Sequence, residues 1–205
     1  MIYSLSEIDA NCKKAARGAG LSWGYAEEAG KAARWLAAYQ LPGAALLAQY
    51  LTLHQKKSAC FQASPLSCPL LTGAALCDAG YDPQKKSVVL AQVAYPLLLL
   101  PYLVQLSQSI EKGLRIQWPG VHICCFDGLI YIKESTSIAS SESAMLSYCW
   151  LESNECSFTS LACGRSKGAT GQFIDPTDWI LLETLAHFTY VPATEASRRG
   201  AGPAD

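Results

Sequence analysis

Charged side chains are what this sequence has least of. Asp, Glu, Lys and Arg make up only 16% of the 205 residues, against about 25% in an average soluble domain. The 16 basic and 17 acidic residues nearly cancel, which leaves a net charge of −1 at pH 7. That balance excludes a highly charged disordered chain and a basic nucleic-acid-binding protein. A chain with so few charged residues exposes apolar surface, which in a soluble protein is often covered by another subunit. We therefore predict a homo-oligomer, a homodimer or higher.

The nine cysteines show no metal-binding or disulfide pattern. Their number is odd, and no two have the Cys-x-x-Cys spacing that lets two thiolates hold one zinc ion. The segment Met1–Asp9 lacks the basic start and apolar run of a secretory signal. We therefore predict a cytoplasmic protein with free thiols that are mostly buried. With only three His and no carboxylates at ligand spacing, the sequence predicts no metal and no cofactor.

The chain also lacks a nucleophile elbow, a kinase motif and a zincin motif. One uncharged run, Ser87–Ile110, is long enough to span a membrane. Pro96 and Pro101 interrupt it, together with three Gln residues, which favours two buried elements. We therefore predict an apolar core here and no membrane or nucleic-acid partner.

The first half of the chain is typical of helices. Ser4 and Glu7 have the spacing of a capping box, which predicts the start of the first helix. Apolar residues then recur with helical spacing. The predicted helical segments are Ser4 to near Gly18, Ser22 to about Tyr39, Gly43 to Leu53, a short turn at Gly73–Ala79 and Leu97–Ile110, the last ending near Gly113.

The second half switches to alternating apolar and polar residues. Turn signals at Pro119-Gly120 and Asp127-Gly128 indicate a β-meander. The predicted strands are the buried Ser87–Ala94, then Leu114–Trp118, Val121–Phe126, Leu129–Lys133, Ala144–Leu151 and Ser157–Ala162. A final helix is predicted from Thr177 to about Thr189.

These elements predict one α+β domain over residues 1–205. An N-terminal helical layer, about 1–110, packs on an antiparallel sheet of about five strands. The sheet and a C-terminal helix occupy about 111–190, and a tail follows over 191–205.

The segment Arg17–Gly24, Arg-Gly-Ala-Gly-Leu-Ser-Trp-Gly, is the first candidate site. A glycine-rich turn before a helix can bind an anion through free backbone N–H groups. A helix rather than a strand precedes it, so it is no dinucleotide fingerprint. The alternative is a helix–helix corner whose glycines allow close approach. The predicted ligand-binding residues here are Arg17, Gly18, Gly20, Ser22 and Trp23.

The C-terminal segment is the second candidate. Thr194, Ser197 and Arg198 combine hydroxyls with a planar guanidinium, which suits a carboxylate or phosphate. The alternative is a frayed terminus. His187 and Glu195 are the only acid–base candidates nearby, although Glu183 could pair with His187 on a helix surface.

Four segments together resemble an uncharacterised bacterial family, domain of unknown function 3726. They are Lys14–Leu36, Leu41–Gly43, Leu97–Pro101 and His187–Arg198. The resemblance spans nearly the whole chain, and its first and last segments are the most specific. This chain departs from the family in its final residues, Gly200–Asp205. The resemblance implies a soluble bacterial protein and implies no activity.

Two functions remain open at this stage. In the first, the two candidate segments share a pocket for a small anionic metabolite, with the reaction, if any, undefined. In the second, the protein is a non-catalytic self-association or partner-binding protein, and its small-residue helix faces and uncharged middle form the interface.

Overall fold

The computed structural model describes residues 1–56, 67–134, 138, 142–152, 163–165 and 167–190. Within these residues the helices are α1 (Leu5–Gly18), α2 (Trp23–Ala38), α3 (Gly43–Lys56), α4 (Pro69–Ala79), α5 (Leu100–Ser109) and α6 (Pro176–His187). The strands are β1 (Ile2–Ser4), β2 (Ser87–Ala94), β3 (Gly113–Trp118), β4 (Val121–Phe126), β5 (Leu129–Glu134), β6 (Ser143–Leu151), β7 (Cys163–Arg165) and β8 (Gly171–Phe173). The predicted α+β class is confirmed.

Helices α1 and α2 form because both have strong N-caps and matching small-residue faces. The predicted capping box is present: the Ser4 hydroxyl accepts from the Glu7 N–H, and the Glu7 carboxylate accepts from the Ser4 N–H. The Ser22 hydroxyl accepts from the Tyr25 N–H at the start of α2. A Cβ at Gly30 would lie 2.6 Å from the Asp9 carboxylate, so the two helices are in direct backbone-level contact. The alanine face of α2 is therefore buried inside the chain.

The main sheet has the strand order β2-β6-β3-β4-β5-β7, with antiparallel pairing throughout. The predicted meander is present, and Asp127 and Gly128 turn its second hairpin with φ of 49° and 74°. Five strands have six residues or more, and β7 adds a short edge. The predicted strand Ser157–Ala162 lies outside the described residues.

The uncharged run is core, as predicted. A 3₁₀ turn over Pro96–Leu99 leads into α5, and both are buried. Leu97–Leu100 belong to one apolar cluster with Leu114, Ile116 and Ile123 of the sheet. In the described part of the chain, no helix has both the length and the apolarity needed to cross a bilayer.

Several helix boundaries differ from the prediction. Helix α3 ends at Lys56 rather than Leu53, and α5 begins at Leu100 rather than Leu97, after the 3₁₀ turn. Helix α4 begins at Pro69 rather than Gly73, because proline fits the first turn, where no N–H donor is needed. Helix α5 ends at Ser109, and Glu111 rather than Gly113 takes the left-handed conformation, with φ 54°. Gly113 instead begins β3.

Strands β1 and β8 were not predicted, because three-residue strands have no detectable alternation. They pair antiparallel, with Ile2 opposite Phe173 and Tyr3 opposite Gln172. Tyr3 stacks on Trp179 of α6 with 3.6 Å between ring centroids. This small sheet and the Tyr3–Trp179 stack hold the start of the chain against α6. The end of α1 also contacts α6, where Gly18 lies against Leu185.

Candidate functional site

The segment Arg17–Gly24 and the end of α6 enclose a pocket of about 370 Å³. We call it the corner pocket. Its lining residues are Arg17, Gly18, Gly20, Trp23, Phe188 and Thr189. Four of the eight predicted ligand-binding residues are thus together. Two lining residues that were not predicted, Phe188 and Thr189, follow directly after α6. The resemblance segment His187–Arg198 was the one sequence signal that pointed to this helix end.

Gly18 is required by packing. A Cβ at this position would lie 1.9 Å from the carbonyl oxygen of Leu185 and 2.8 Å from its carbonyl carbon. Because these are backbone atoms of α6, they cannot move aside like a flexible side chain. Gly18 therefore allows α1 and α6 to touch, as in the helix–helix corner considered as the alternative.

Gly20 ends α1 rather than offering a free donor. Its φ is +104°, a conformation that glycine adopts without strain. Its N–H donates to the carbonyl of Arg17, and the Leu21 N–H donates to that of Ala16, which together form a Schellman motif. The predicted role of Gly20 as a backbone donor to an anion is corrected here, because that N–H already has an acceptor. An anion in this pocket would meet side chains instead.

Arg17 supplies the positive charge of the corner pocket. One of its guanidinium nitrogens donates to the carbonyl of Leu21 at 2.9 Å. The guanidinium carbon lies 5.3 Å from the ring centroid of Trp23, a cation–π distance. Among the described residues, neither Arg17 nor Lys14 forms an ion pair. The carbonyl end of α1 favours cations here even without a ligand.

Aromatic rings surround this charge and remain open to solvent. Trp23 is 54% exposed, Phe188 69% and Tyr190 53%. The Lys14 ammonium lies 5.5 Å from the ring centroid of Tyr190. An aromatic ring can stack on a planar ligand, and a guanidinium can hold a phosphate through its planar donor fork.

Ser22 is placed differently from the other predicted residues. Its hydroxyl caps α2, and the residue lines a second pocket on the far side of the corner. Ser22 is therefore separate from the corner pocket, although it is only two residues from Gly20.

His187 lies at the end of α6 and is exposed. Its ring meets Tyr190 edge-on with 5.1 Å between centroids. The contact that Glu183 could make with His187 is replaced by another, because the Glu183 carboxylate accepts from the Trp179 indole N–H at 2.9 Å. Nothing in the described residues orients His187 as a base would need.

The remaining predicted residues, Thr194, Glu195, Ser197 and Arg198, lie outside the described residues. The last described residue, Tyr190, contacts Lys14, and neither of these two residues lines the corner pocket. The part of the C-terminal segment in the site stays a prediction.

Three of the described thiols are poorly suited to nucleophilic chemistry. Burial raises the pKa of the Cys12, Cys68 and Cys77 thiols, since each would lose solvation as a thiolate. In the part of the chain that the structure describes, no three His, Cys, Asp or Glu side chains converge as metal ligands.

Comparison with protein families gives one match. The family model described as protein of unknown function (DUF3726) matches residues 3–78, just over a third of the chain. The resemblance inferred from the sequence is confirmed for this part, which contains α1, α2, α3 and all but the last residue of α4. The family description gives no activity. No curated protein and no solved structure matches this chain.

Proposed function

We propose that this protein binds a small anionic metabolite in the corner pocket. The observation that carries the proposal is Arg17, a half-buried guanidinium that lines the pocket, packs against Trp23 and has no carboxylate partner among the described residues. A guanidinium is a fork of five donors, and in the described part of the chain one hydrogen bond, to Leu21, uses it. A carboxylate or phosphate fits the donors that remain.

The C-terminal segment would complete the site. Arg198 adds a second guanidinium, and Thr194 and Ser197 add hydroxyl donors. His187 and Glu195 are the acid–base candidates if a reaction occurs, and no reaction is assigned. A bacterial cytoplasmic protein with this site would sense, store or convert a carboxylated or phosphorylated metabolite.

The test uses native mass spectrometry and thermal unfolding of the full chain. A mass above a multiple of the 22.1 kDa chain mass would reveal a retained ligand. Inorganic phosphate and citrate should raise the unfolding temperature of the natural protein in a saturable way. Arg17→Ala should abolish that rise while the protein stays folded.

The matched control is Arg34→Ala. Arg34 is an exposed arginine on α2 whose guanidinium already pairs with Asp9 at 3.5 Å. It should leave the response to phosphate and citrate unchanged. Equal responses in the natural protein, Arg17→Ala and Arg34→Ala would contradict the proposal.

Self-association is the second candidate function, and one observation favours it. The surfaces first considered, the alanine face of α2 and the uncharged middle, are buried within the chain. Ile2 and Phe173, however, are opposite each other on β1 and β8 and are 79% and 66% exposed. We propose this small sheet as the contact of a homodimer. Sedimentation should show a dimer that Phe173→Ser dissociates, and a monomeric natural protein would contradict it.

A further inference from the structure

Two aromatic rings that line the corner pocket are open to solvent. Trp23 is 54% exposed and Phe188 is 69% exposed. Aromatic side chains in a soluble domain usually bury most of their surface, and exposed ones that share one site mark a binding surface more often than scattered ones do. The corner pocket therefore offers apolar contact in addition to the charge of Arg17.

The two rings come from different elements and meet at the end of α1. Trp23 is the first residue of α2, and Phe188 follows directly after α6. The Arg17 guanidinium carbon is 5.3 Å from the Trp23 ring centroid. A Cβ at Gly18 would lie 3.4 Å from the Cβ of Phe188. Both rings are therefore close neighbours of the residues that carry the positive charge.

Arg17 presents its charge in a fixed position. One guanidinium nitrogen donates to the carbonyl of Leu21 at 2.9 Å, and the group packs against Trp23. A side chain that is already held in this way loses less conformational entropy when a ligand binds. The donors that remain can hold a carboxylate through two parallel N–H···O bonds.

The described lining of the corner pocket favours a singly charged anion of small size. Arg17 is its one charged residue. The hydroxyl of Thr189 donates to the carbonyl of Ala186 at 2.7 Å, so it adds no free donor. A carboxylate carries one negative charge, whereas a phosphate monoester carries about −1.5 to −2 at pH 7. The volume of about 370 Å³ is near the lower end for ligand pockets, which suits a ligand with one ring.

A second pocket, of about 400 Å³, lies on the other side of the α1–α2 corner and lacks this combination. We call it the α2–α5 pocket. Its charged lining residues are Glu27, Glu28 and Asp78, and no Lys, Arg or His is among its described lining residues. Two of these carboxylates already pair with lysines. Its aromatic residues are the half-buried Tyr25 and the buried Tyr102. Of the two pockets, the corner pocket alone joins an unpaired charge to open aromatic rings.

We propose that the ligand of the corner pocket is an aromatic monocarboxylate, with its carboxylate on Arg17 and its ring against Trp23 and Phe188. The inference rests on the proposed function and names the chemical class of that ligand. Arg17 selects for the negative charge, and the two open rings select for a flat apolar group.

The first test is a calorimetric titration of the natural protein with benzoate and three matched compounds. Cyclohexanecarboxylate has the same charge and a ring that is not flat, acetate lacks the ring, and benzamide lacks the charge. Benzoate should bind in a saturable way, with a dissociation constant of about 1 mM or below. Cyclohexanecarboxylate should bind several-fold more weakly, and acetate and benzamide about tenfold more weakly or worse.

The second test assigns the preference to the two rings. Trp23→Leu and Phe188→Leu each keep an apolar side chain and remove the aromatic face, so each should lower the affinity for benzoate several-fold. Both variants should keep the rise in unfolding temperature caused by inorganic phosphate, because Arg17 is retained. The matched control is Phe173→Leu, which changes an aromatic residue on β8 that is 66% exposed and lies outside the pocket. It should leave the benzoate titration unchanged.

The outcomes separate this inference from the proposed function. Equal binding of benzoate and cyclohexanecarboxylate, or an affinity for benzoate that neither Trp23→Leu nor Phe188→Leu lowers, would overturn the aromatic class. The proposed function would still stand if phosphate and citrate raise the unfolding temperature through Arg17. If neither benzoate nor any other of these anions binds the natural protein, both proposals fail.

Discussion

The corner pocket and the α2–α5 pocket flank one short connection between two helices, yet they carry opposite charge. The first lies at the carbonyl end of α1, where Arg17 and Lys14 have no acidic partner among the described residues. The second lies beside α2, whose first turn carries no acidic residue, and Glu27 and Glu28 come after that turn. The last turn of α1 favours the positive charge of Arg17 without any ligand. The charge itself is therefore weak evidence for binding, and an unpartnered guanidinium beside open aromatic rings is stronger evidence.

The largest effect is expected from changing the glycine that joins α1 to α6. Gly18→Ala places a methyl group 1.9 Å from the carbonyl oxygen of Leu185. One of the two helices must then shift, and we expect a loss of about 3 kcal/mol in the free energy of unfolding. Denaturant unfolding measures this loss, and the shift should also disrupt the corner pocket while the α2–α5 pocket remains.

Gly24→Ala is the matched control on the other side of the corner. A Cβ at Gly24 would have nothing within 4 Å, and the residue is the second of α2. Alanine is a better helix former than glycine, so stability should rise by about 0.5 kcal/mol. If Gly18→Ala is as well tolerated as Gly24→Ala, the close contact between α1 and α6 is not what holds the corner together.

A smaller change in the free energy of unfolding, this time a gain, is expected from substituting Glu111 at the end of α5. Helix α1 ends with Gly20 in the left-handed position, whereas α5 ends in the same Schellman motif with Glu111 at φ 54°. The Lys112 N–H bonds to the Ser107 carbonyl, and that of Glu111 to the Gln108 carbonyl. Glu111→Gly should relieve strain and stabilise the fold by about 0.5–1 kcal/mol, while Gly20→Ala should destabilise it by about 1 kcal/mol. Thermal unfolding of both variants checks the sign.

Helix starts were predictable from sequence where an N-cap side chain marks them, whereas the start of α4 at Pro69 was missed. Ser4 with Glu7 and Ser22 gave correct starts, because an N-cap side chain bonds to nearby backbone. The end of α1 was predictable from Gly20. The end of α5 was predicted at Ile110, one residue beyond Ser109, but the residue that stops the helix was assigned to Gly113, because Glu111 carries no signal for a left-handed conformation. The remaining difference comes from tertiary pairing, since β1 and β8 are too short to show a pattern.

The candidate site was predictable only in part for the same reason. Arg17, Gly18, Gly20 and Trp23 are neighbours in sequence, so a local motif identified them. Phe188 and Thr189 reach the same pocket only because α6 packs on α1 through Gly18. The α2–α5 pocket was missed altogether, because Glu28, Asp78 and Tyr102 come from three helices, and no local spacing connects them.

The smallest expected effect is on the pH dependence of stability, through the ion pair between Glu27 and Lys13. The Lys13 ammonium, which donates a hydrogen bond to Glu27, holds the pKa of that carboxyl below its usual value. A carboxyl with a lowered folded-state pKa adds stability above its unfolded pKa, about 4.3. That contribution is lost as the pH falls through the folded pKa. Glu27→Gln should therefore lower the unfolding temperature slightly at pH 7 and have no effect near pH 3.

Arg17→Gln is the counterpart at the corner pocket. No carboxylate pairs with Arg17 among the described residues, so no neighbouring acid there changes its charge between these two pH values. The difference in unfolding temperature between Arg17→Gln and the natural protein should therefore be the same at pH 7 and pH 3. A pH-dependent difference in the arginine variant would reveal an acidic partner for Arg17, and Glu195 is the acid that the sequence analysis named in the C-terminal segment. It would then place that segment against the corner pocket.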